Sequence, residues 1–227
     1  REILDRCQSL QELKNQTQGN KLVIGASSVP GQCLMPEIMG DFLAVCPQCQ
    51  YMQLKGDSIR IHQYLAQGKA NLGFVGMAAN PKEYHYHPVA EDRLVLITPN
   101  TPHYARLKAQ DVLGRDLLDE PMVFRDQGSG TQKMIDNYLS SRDIDAKALH
   151  VRQYVSDPEM LRELVALGAG VSIVSSLSVE EQVRADRLLT FELEEEPVYR
   201  HIYMVYRKKG ALSELARAFA EQIRKAQ

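Results

Sequence analysis

The strongest constraint on how this chain folds is a repeated alternation of short apolar runs with amphipathic helical patterns. The apolar runs that resemble strands are residues 22–26, 51–55, 71–76, 122–125, 150–155 and 171–175. Between them, apolar residues recur at steps of three and four, which is typical of helices with one buried face. Strand–helix–strand order favours parallel strands joined by right-handed crossovers. The sequence therefore predicts an α/β protein with mostly parallel sheets.

A dense group of turn-forming residues, Thr98-Pro99-Asn100-Thr101-Pro102, interrupts this alternation near the middle of the chain. The 227 residues are enough for two small lobes. A strand-like segment and an amphipathic helical pattern end the chain, and we expect them to return to the first lobe. The predicted division gives residues 20–97 and 202–227 to lobe I and residues 98–201 to lobe II.

The first 17 residues also carry apolar residues at helical spacing, including Leu10 and Leu13. The apolar stripe is narrow and the segment is short, so an isolated helix of this kind would be marginal. The pattern indicates the end of a longer helix that packs against a partner.

The charge balance argues against nucleic-acid binding by this stretch alone. It has 27 basic and 29 acidic residues, a formal net charge of −2. Domains that neutralise phosphates usually carry a basic excess. No apolar run approaches the length that spans a bilayer, so we expect no membrane contact.

Cysteine and histidine give little support for a metal site. The chain has 4 cysteines, and Cys46 and Cys49 have the C-x-x-C spacing found in zinc and redox sites. No second pair is visible, and so low a density suits a reducing compartment. His85 and His87 share one face of a predicted strand, but no other ligand stands at metal-binding spacing. We predict no metal and no cofactor.

Motifs of known catalytic chemistry are also missing from the sequence. It contains no G-x-S-x-G, no phosphate-binding loop with its lysine, no G-x-G-x-x-G and no H-E-x-x-H. We therefore expect a protein that is not an enzyme.

Small polar residues stand where predicted strands end and helices begin, the usual place for ligands in open parallel sheets. These junctions are Ala26-Ser27-Ser28, Gly56-Asp57-Ser58, Gln127-Gly128-Ser129-Gly130-Thr131 and Val155-Ser156-Asp157. Free N–H groups and the helix dipole make each of them a candidate anion site. The alternative is that these residues only cap their helices. Ser58 is the predicted N-cap of its helix, although Asp57 could serve as well.

Arg125 ends a predicted strand just before the glycine-containing junction. Two interpretations stay open for this residue. It pairs with an anionic ligand, or it bonds a neighbouring carboxylate such as Asp126 or Asp157.

The order of these elements resembles the effector-binding (co-inducer) domain of LysR-type transcriptional regulators. The resembling segments are the opening strand at residues 21–26, Leu34-Met35-Pro36 with Phe42 and Pro47, and Gly56 to Phe74 with Leu65, Gly68 and Asn71-Leu72-Gly73. They continue with Phe124-Arg125, Gly128-Ser129-Gly130-Thr131 and residues 163–174. The sequence departs from the family at Asn71, where aspartate is usual, and at Gln132, where arginine is frequent. Ser175 or Ser176 stands where a proline often occurs.

The resemblance implies a two-lobed fold of the type II periplasmic-binding-protein kind, with a small ligand held between the lobes. On family grounds the ligand contacts are Ser27, Ser28, Thr98, Ser129, Gly130, Thr131 and Ser156, with Arg125 as a further anion partner. Because these residues offer donors and few carboxylates, a small oxyanion or carboxylate is the expected ligand.

The resemblance also implies a cytoplasmic regulator that dimerises through this domain and forms tetramers when complete. Residues 1–19 would end its linker helix, and DNA would be bound by a winged helix-turn-helix that is absent from this chain. The alternative function is an extracytoplasmic solute-binding protein of a transporter. A third hypothesis is a dehydratase-like or transferase-like enzyme, but the sequence shows no group of acid–base or nucleophilic residues that supports it.

Overall fold

The computed structural model describes residues 21–126 and 129–225, so the helix predicted over residues 1–17 lies outside the described residues. The chain divides into two compact units. Unit 1 contains residues up to Val89 and again from Tyr203, and unit 2 is Ala90–Ile202. The first boundary thus falls inside a strand and not at Thr98.

Unit 1 is a sheet with helices. Its elements in chain order are β1 (Lys21–Ala26), a π-helical turn (Pro30–Leu34), α1 (Met35–Val45), β2 (Gln50–Lys55), α2 (Ser58–Ala66) and β3 (Leu72–Val75), and the chain returns to it with α7 (Glu214–Lys225). Strand β1 pairs in parallel with β2 and β3, as the βαβ order predicts.

Apolar residues that alternate along the strands form the core of unit 1. Leu22, Ile24 and Phe74 are fully buried against the last helix, where Phe42 and Phe219 meet edge to face with 4.9 Å between ring centroids. The predicted apolar stripe of the C-terminal helix therefore packs on unit 1, as expected.

Unit 2 repeats the α/β alternation. Its elements are α3 (Pro102–Ala109), a 3-10 turn (Gly114–Leu117), β5 (Met122–Arg125), α4 (Gly130–Ser141), β6 (Val151–Val155), α5 (Pro158–Ala166), β7 (Ser172–Ser175), a second 3-10 turn (Ser176–Val179), α6 (Glu180–Arg184) and β8 (Leu188–Glu192). Strands β5 and β6 are parallel, so their carboxyl ends lie side by side.

Two long strands connect the units and make the sheet pairing mixed. They are β4 (Tyr84–Pro99) and β9 (Val198–Arg207). Within unit 1, β9 is antiparallel to β3, and within unit 2, β4 is antiparallel to β7 and β8. The apolar patterns at Pro88–Ala90 and Leu94–Thr98 each predict a short strand, but the structure has one strand of 16 residues that contains both. The turn formers at Pro99–Thr101 end this strand and start α3, where the Thr101 hydroxyl accepts the N–H of Tyr104.

Helix ends follow the predicted signals with one correction. Gly68 and Gly168 end α2 and α5 at φ of 66° and 83°, which a residue with a Cβ rarely adopts. The N-cap of α2 is Asp57 and not Ser58, because the Asp57 carboxylate accepts the N–H of Arg60 at 2.6 Å. Ser58 is the first residue of the helix itself, so it lies one position after the N-cap.

Candidate functional site

Arg125 holds together the carboxyl ends of β5 and β6 in unit 2. Its Nη2 donates to the Ser156 carbonyl at 2.8 Å, and its backbone N–H donates to Gln132 Oε1 at 3.2 Å. The side chain is 11% exposed and lies 3.6 Å from the Asp126 carboxylate. Its buried Nε has no hydrogen-bond partner in the described part of the chain. Both interpretations of Arg125 therefore remain compatible with its contacts.

The electrostatic surroundings of Arg125 disfavour its charged form. Burial lowers the pKa of Arg125, the carboxylates of Asp126 and Asp157 raise it, and the positive charge of Arg162 lowers it again. The net result is a lowered pKa. An added negative charge beside this guanidinium would stabilise it.

Ser129 lies at the start of α4, next to the same strand end. Its Oγ accepts the N–H of Gln132 at 3.4 Å, and its own N–H donates to the Asp126 carbonyl at 3.1 Å. Gln132 is buried and joins Arg125 to Asp136. Gln132 is thus an internal link and not a ligand group.

Thr131 and Gly130 follow Ser129 in the first turn of α4, and both are half-buried. Because the cap of α4 is an uncharged serine, this helix start keeps its positive potential. Of the two junctions in unit 2 that were predicted as anion sites, it is the one whose cap carries no charge.

Carboxylates cap two of the other predicted junctions. Asp157 accepts the N–H groups of Glu159 and Met160 at 2.7 and 2.9 Å at the start of α5, and Asp57 caps α2 in the same way. These carboxylates already accept some of the N–H groups that an anion would need, and their charge opposes a second anion. Ser156 therefore contributes its carbonyl to Arg125, while its exposed side chain stands beside an acidic cap.

Thr98 does not join this group. It is fully buried in β4, and its hydroxyl donates to the Pro99 carbonyl at 3.2 Å. Its strand pairs with β8 at Leu189. The structure therefore places Thr98 inside the sheet of unit 2.

Ser27 and Ser28 follow β1 in unit 1. Ser27 is buried, its N–H donates to the Phe74 carbonyl at 2.9 Å, and its carbonyl accepts the N–H of Gly31 at 2.8 Å. Ser28 is half-buried at the start of the helical segment. The two serines lie at the carboxyl edge of the parallel strands of unit 1, as the sequence predicted.

Sequence reasoning missed Arg162, which lies one turn into α5. It is 9% exposed, between the buried Leu161 and the carboxyl half of the helix. Its Nε is buried without a hydrogen-bond partner, and within residues 21–126 and 129–225 no acidic side chain forms an ion pair with it. The available signal was a charged residue on the apolar face of α5, beside Leu161 and Val165.

A cavity of about 250 Å³ lies elsewhere in unit 2, lined by Asp111, Glu192, Glu194 and Glu195 together with Lys108. Because carboxylates dominate this lining, an anion would be repelled there. The cavity does not coincide with the predicted site.

The histidine and cysteine motifs take part in packing. Tyr86 Oη lies 2.7 Å from His62 Nε2, and the His85 ring lies against Tyr206 with 5.1 Å between centroids. Cys46 and Cys49 are not in disulfides, and burial raises the pKa of the Cys49 thiol. No group of three or more His, Cys, Asp or Glu side chains among the described residues could hold a metal ion. None of the described helices has the length and apolar character required to span a bilayer.

Comparison with known proteins relates most of the chain to one family. The model of the LysR substrate binding domain matches residues 15–227. A probable RuBisCO transcriptional regulator of Cyanophora paradoxa is 29% identical over 223 residues, which are 96% of this chain and 68% of that protein. A phosphonates import ATP-binding protein PhnC of Anaeromyxobacter dehalogenans is 30% identical over 206 residues, 91% of this chain and 41% of that protein.

A solved structure has the same fold. The regulatory domain of CcmR from Synechocystis PCC6803, in complex with 2-PG, superposes with a TM-score of 0.80 at 20% identity. The match covers 91% of this chain and 96% of that domain. The two-lobed fold predicted from the sequence is confirmed.

Proposed function

The chain belongs to the LysR substrate-binding domain family, and we propose that it senses a small anionic ligand for a DNA-binding transcriptional regulator. The observation that carries the ligand class is Arg125. This guanidinium is 11% exposed, has a buried Nε without a partner among the described residues, and stands at the ends of β5 and β6. The uncharged start of α4 lies beside it.

The proposed contacts are Arg125, Ser129, Gly130 and Thr131 of unit 2. The participation of Ser27 and Ser28 of unit 1 stays a prediction, as does that of Ser156 through its side chain. Thr98 would act only indirectly, because its hydroxyl is committed to the Pro99 carbonyl. The 2-PG bound by the CcmR domain supports a small ligand for this chain as well.

The physical basis of sensing is differential affinity. A ligand that binds one conformation better than another shifts the equilibrium toward it. A coupling of about 1–3 kcal/mol changes a linked binding equilibrium roughly 5- to 150-fold. We propose that this coupling changes the oligomer geometry of the complete regulator, and that a separate N-terminal domain binds the DNA in the cytoplasm.

Binding without turnover and without a cofactor is the expected behaviour. The family match is to a ligand-binding domain of transcriptional regulators and does not favour the solute-binding protein of a transporter.

We further propose that unit 1 contributes to a homodimer, with tetramers in the complete regulator. Strand β2 is an edge strand of its sheet, and large apolar side chains are exposed on it and on α1 at Met52, Leu43 and Val45. Unpaired edges with apolar neighbours favour association with another chain. Light scattering during gel filtration should give twice the mass of the chain, and Met52→Lys should yield monomers. A monomeric parent protein would contradict the proposal.

The ligand site is tested by two substitutions at one position. Ser129→Asp keeps an N-cap acceptor for α4 but places a negative charge beside Arg125, whereas Ser129→Asn keeps the cap without the charge. We expect Ser129→Asp to abolish binding of small anions in calorimetry, and Ser129→Asn to reduce it only a few-fold. Thr131→Ala should also weaken binding, because the Thr131 hydroxyl is a proposed donor.

Ser140→Ala serves as the control, because this exposed serine lies at the other end of α4. The variants should melt within a few degrees of the parent protein. Equal anion affinity of Ser129→Asp and the parent would place the ligand elsewhere.

A further inference from the structure

Arg162 is a charged residue that is buried as deeply as many residues of the core. It is 9% exposed, and its Nε is buried without a hydrogen-bond partner within the described ranges. An isolated charge that loses its hydration destabilises a protein unless an opposite charge or hydrogen bonds compensate it.

The acidic residues on α5 and at the end of β5 bond to other groups, although, after the hydrogen bond from Arg187, the charge of Arg162 also helps to lower the pKa of Glu163. Glu163 forms two hydrogen bonds with Arg187, at 2.8 and 2.7 Å. Asp157 accepts two backbone N–H groups at the start of α5. Asp126, half-exposed, lies 3.6 Å from Arg125.

The position of Arg162 in α5 indicates that its side chain reaches toward the strand ends that hold Arg125. Side chains on a helix tilt toward its N-terminus, so a long side chain one turn into α5 reaches back over the first turn. That turn follows β6, whose end Arg125 contacts through Ser156. The charge of Arg162 is close enough to Arg125 to lower the pKa of that residue. Two arginines of low exposure therefore lie within electrostatic range of each other.

We propose that Arg125 and Arg162 together bind a single doubly charged group, so that the ligand is a small phosphate monoester and not a simple carboxylic acid. This inference rests on the proposed anion-sensing function and identifies its ligand class. A phosphate group carries a charge of about −1.5 to −2 at pH 7 and three acceptor oxygens, enough for two guanidinium groups. A carboxylate has one charge and two oxygens, which a single arginine can satisfy in bidentate fashion.

Calorimetric titration with methyl phosphate and with acetate separates these ligand classes. At pH 7.5 we expect the parent protein to bind methyl phosphate at least about tenfold more tightly than acetate. The affinity for methyl phosphate should fall between pH 7 and 5, because the second phosphate pKa is about 6 and both arginines stay charged. Sulfate, which keeps two charges throughout, should show no such fall.

Arg162→Met removes the charge and retains most of the apolar stem. It should weaken methyl phosphate binding about 10- to 100-fold and leave acetate binding within about threefold. It should leave unchanged or raise the melting temperature measured in buffer without phosphate or sulfate, since it removes a buried charge that forms no ion pair within the described residues. A purely structural arginine would lower the melting temperature when it is replaced.

Arg184→Met is the control for net charge, because Arg184 is 79% exposed and pairs with Glu180 in the same unit. It should change neither affinity. Equal affinity for acetate and methyl phosphate, or unchanged phosphate affinity in Arg162→Met, would overturn this inference while the anion-sensing function stands. If none of these anions binds to the parent protein, the proposed function is wrong and this inference with it.

Discussion

Unit 2 buries two arginines to nearly the same extent, and they differ in their partners. Arg200 is 7% exposed and Arg162 is 9% exposed. Arg200 Nε donates to Asp92 Oδ2 at 2.6 Å, and Asp92 also accepts a hydrogen bond from Ser175 at 2.8 Å. Arg162 has no such carboxylate among the described residues. A buried ion pair is internally compensated and stabilises one packing arrangement, whereas a buried cation without a partner leaves positive potential for a ligand.

The largest expected effect comes from breaking the compensated pair. Arg200→Met should lower the free energy of unfolding by about 3–5 kcal/mol, because it leaves the fully buried Asp92 without its cation. Arg162→Met should leave that free energy unchanged or raise it. Urea titration followed by circular dichroism measures both variants. Equal losses would mean that the two arginines play the same structural role.

A smaller effect is expected at the acidic cap of α5. Asp157→Ala should cost about 0.5–2 kcal/mol, because two backbone donors lose their acceptor. The same substitution should increase phosphate affinity, since the Asp157 charge raises the pKa of Arg125 and competes with a bound anion. Asp157→Ser is the matched control, since it keeps a cap and removes the charge. Asp157→Ser should bind phosphate more tightly than the parent and keep its free energy of unfolding. Calorimetry measures the affinity, and urea titration measures the stability.

The smallest expected effect concerns Glu194, whose contribution to the free energy of unfolding should change only at acidic pH. This buried carboxylate accepts hydrogen bonds from Tyr138 at 2.9 Å, Arg115 at 2.6 Å and Arg142 at 3.0 Å. Burial raises the pKa of Glu194, but these hydrogen bonds and the charges of Arg142 and Arg115 outweigh it, so the pKa is lowered.

A carboxylate whose pKa is lower in the folded state stabilises the protein above its unfolded pKa of about 4.3, and this contribution is lost as the pH falls through the folded pKa. Urea titrations between pH 7 and 3 should therefore show less acid sensitivity in Glu194→Gln than in the parent. An identical pH profile for both proteins would contradict this assignment.

Much of the fold could be predicted because the signals are local. Gly68 and Gly168 end helices, Pro158 starts one, and the apolar stripe with Phe219 packs where it was expected. The residue motifs, taken in their order along the chain, were sufficient to indicate the family.

The sequence was less informative about the crossing between the units. Turn formers at Thr98–Thr101 mark the end of β4, but the unit boundary lies inside that strand, after Val89. The backbone of β4 stays extended where the strand leaves unit 1 and enters unit 2. No local residue therefore signals the boundary between the units.

The candidate site was found only in part. Arg125 and Ser129 were predicted from their place between a strand and a helix. The sequence could not show which residue caps each helix. At Ser156-Asp157, for example, a neutral and an acidic candidate stand side by side, and the structure shows that Asp157 is the cap, whereas the cap of α4 is the neutral Ser129.

The sequence by itself determined the alternation of strands and helices, the family and the strand ends where a ligand is expected, because each depends on residues close together in the chain. Only the tertiary structure decided which charges are compensated. Asp92 and Arg200 are 108 residues apart in sequence, and they pair because β4 and β9 bring them together. Among the described residues Arg162 forms no ion pair for the same reason: Glu163 and Asp157 bond to other groups. Charge compensation depends on distance in space, which sequence spacing does not fix.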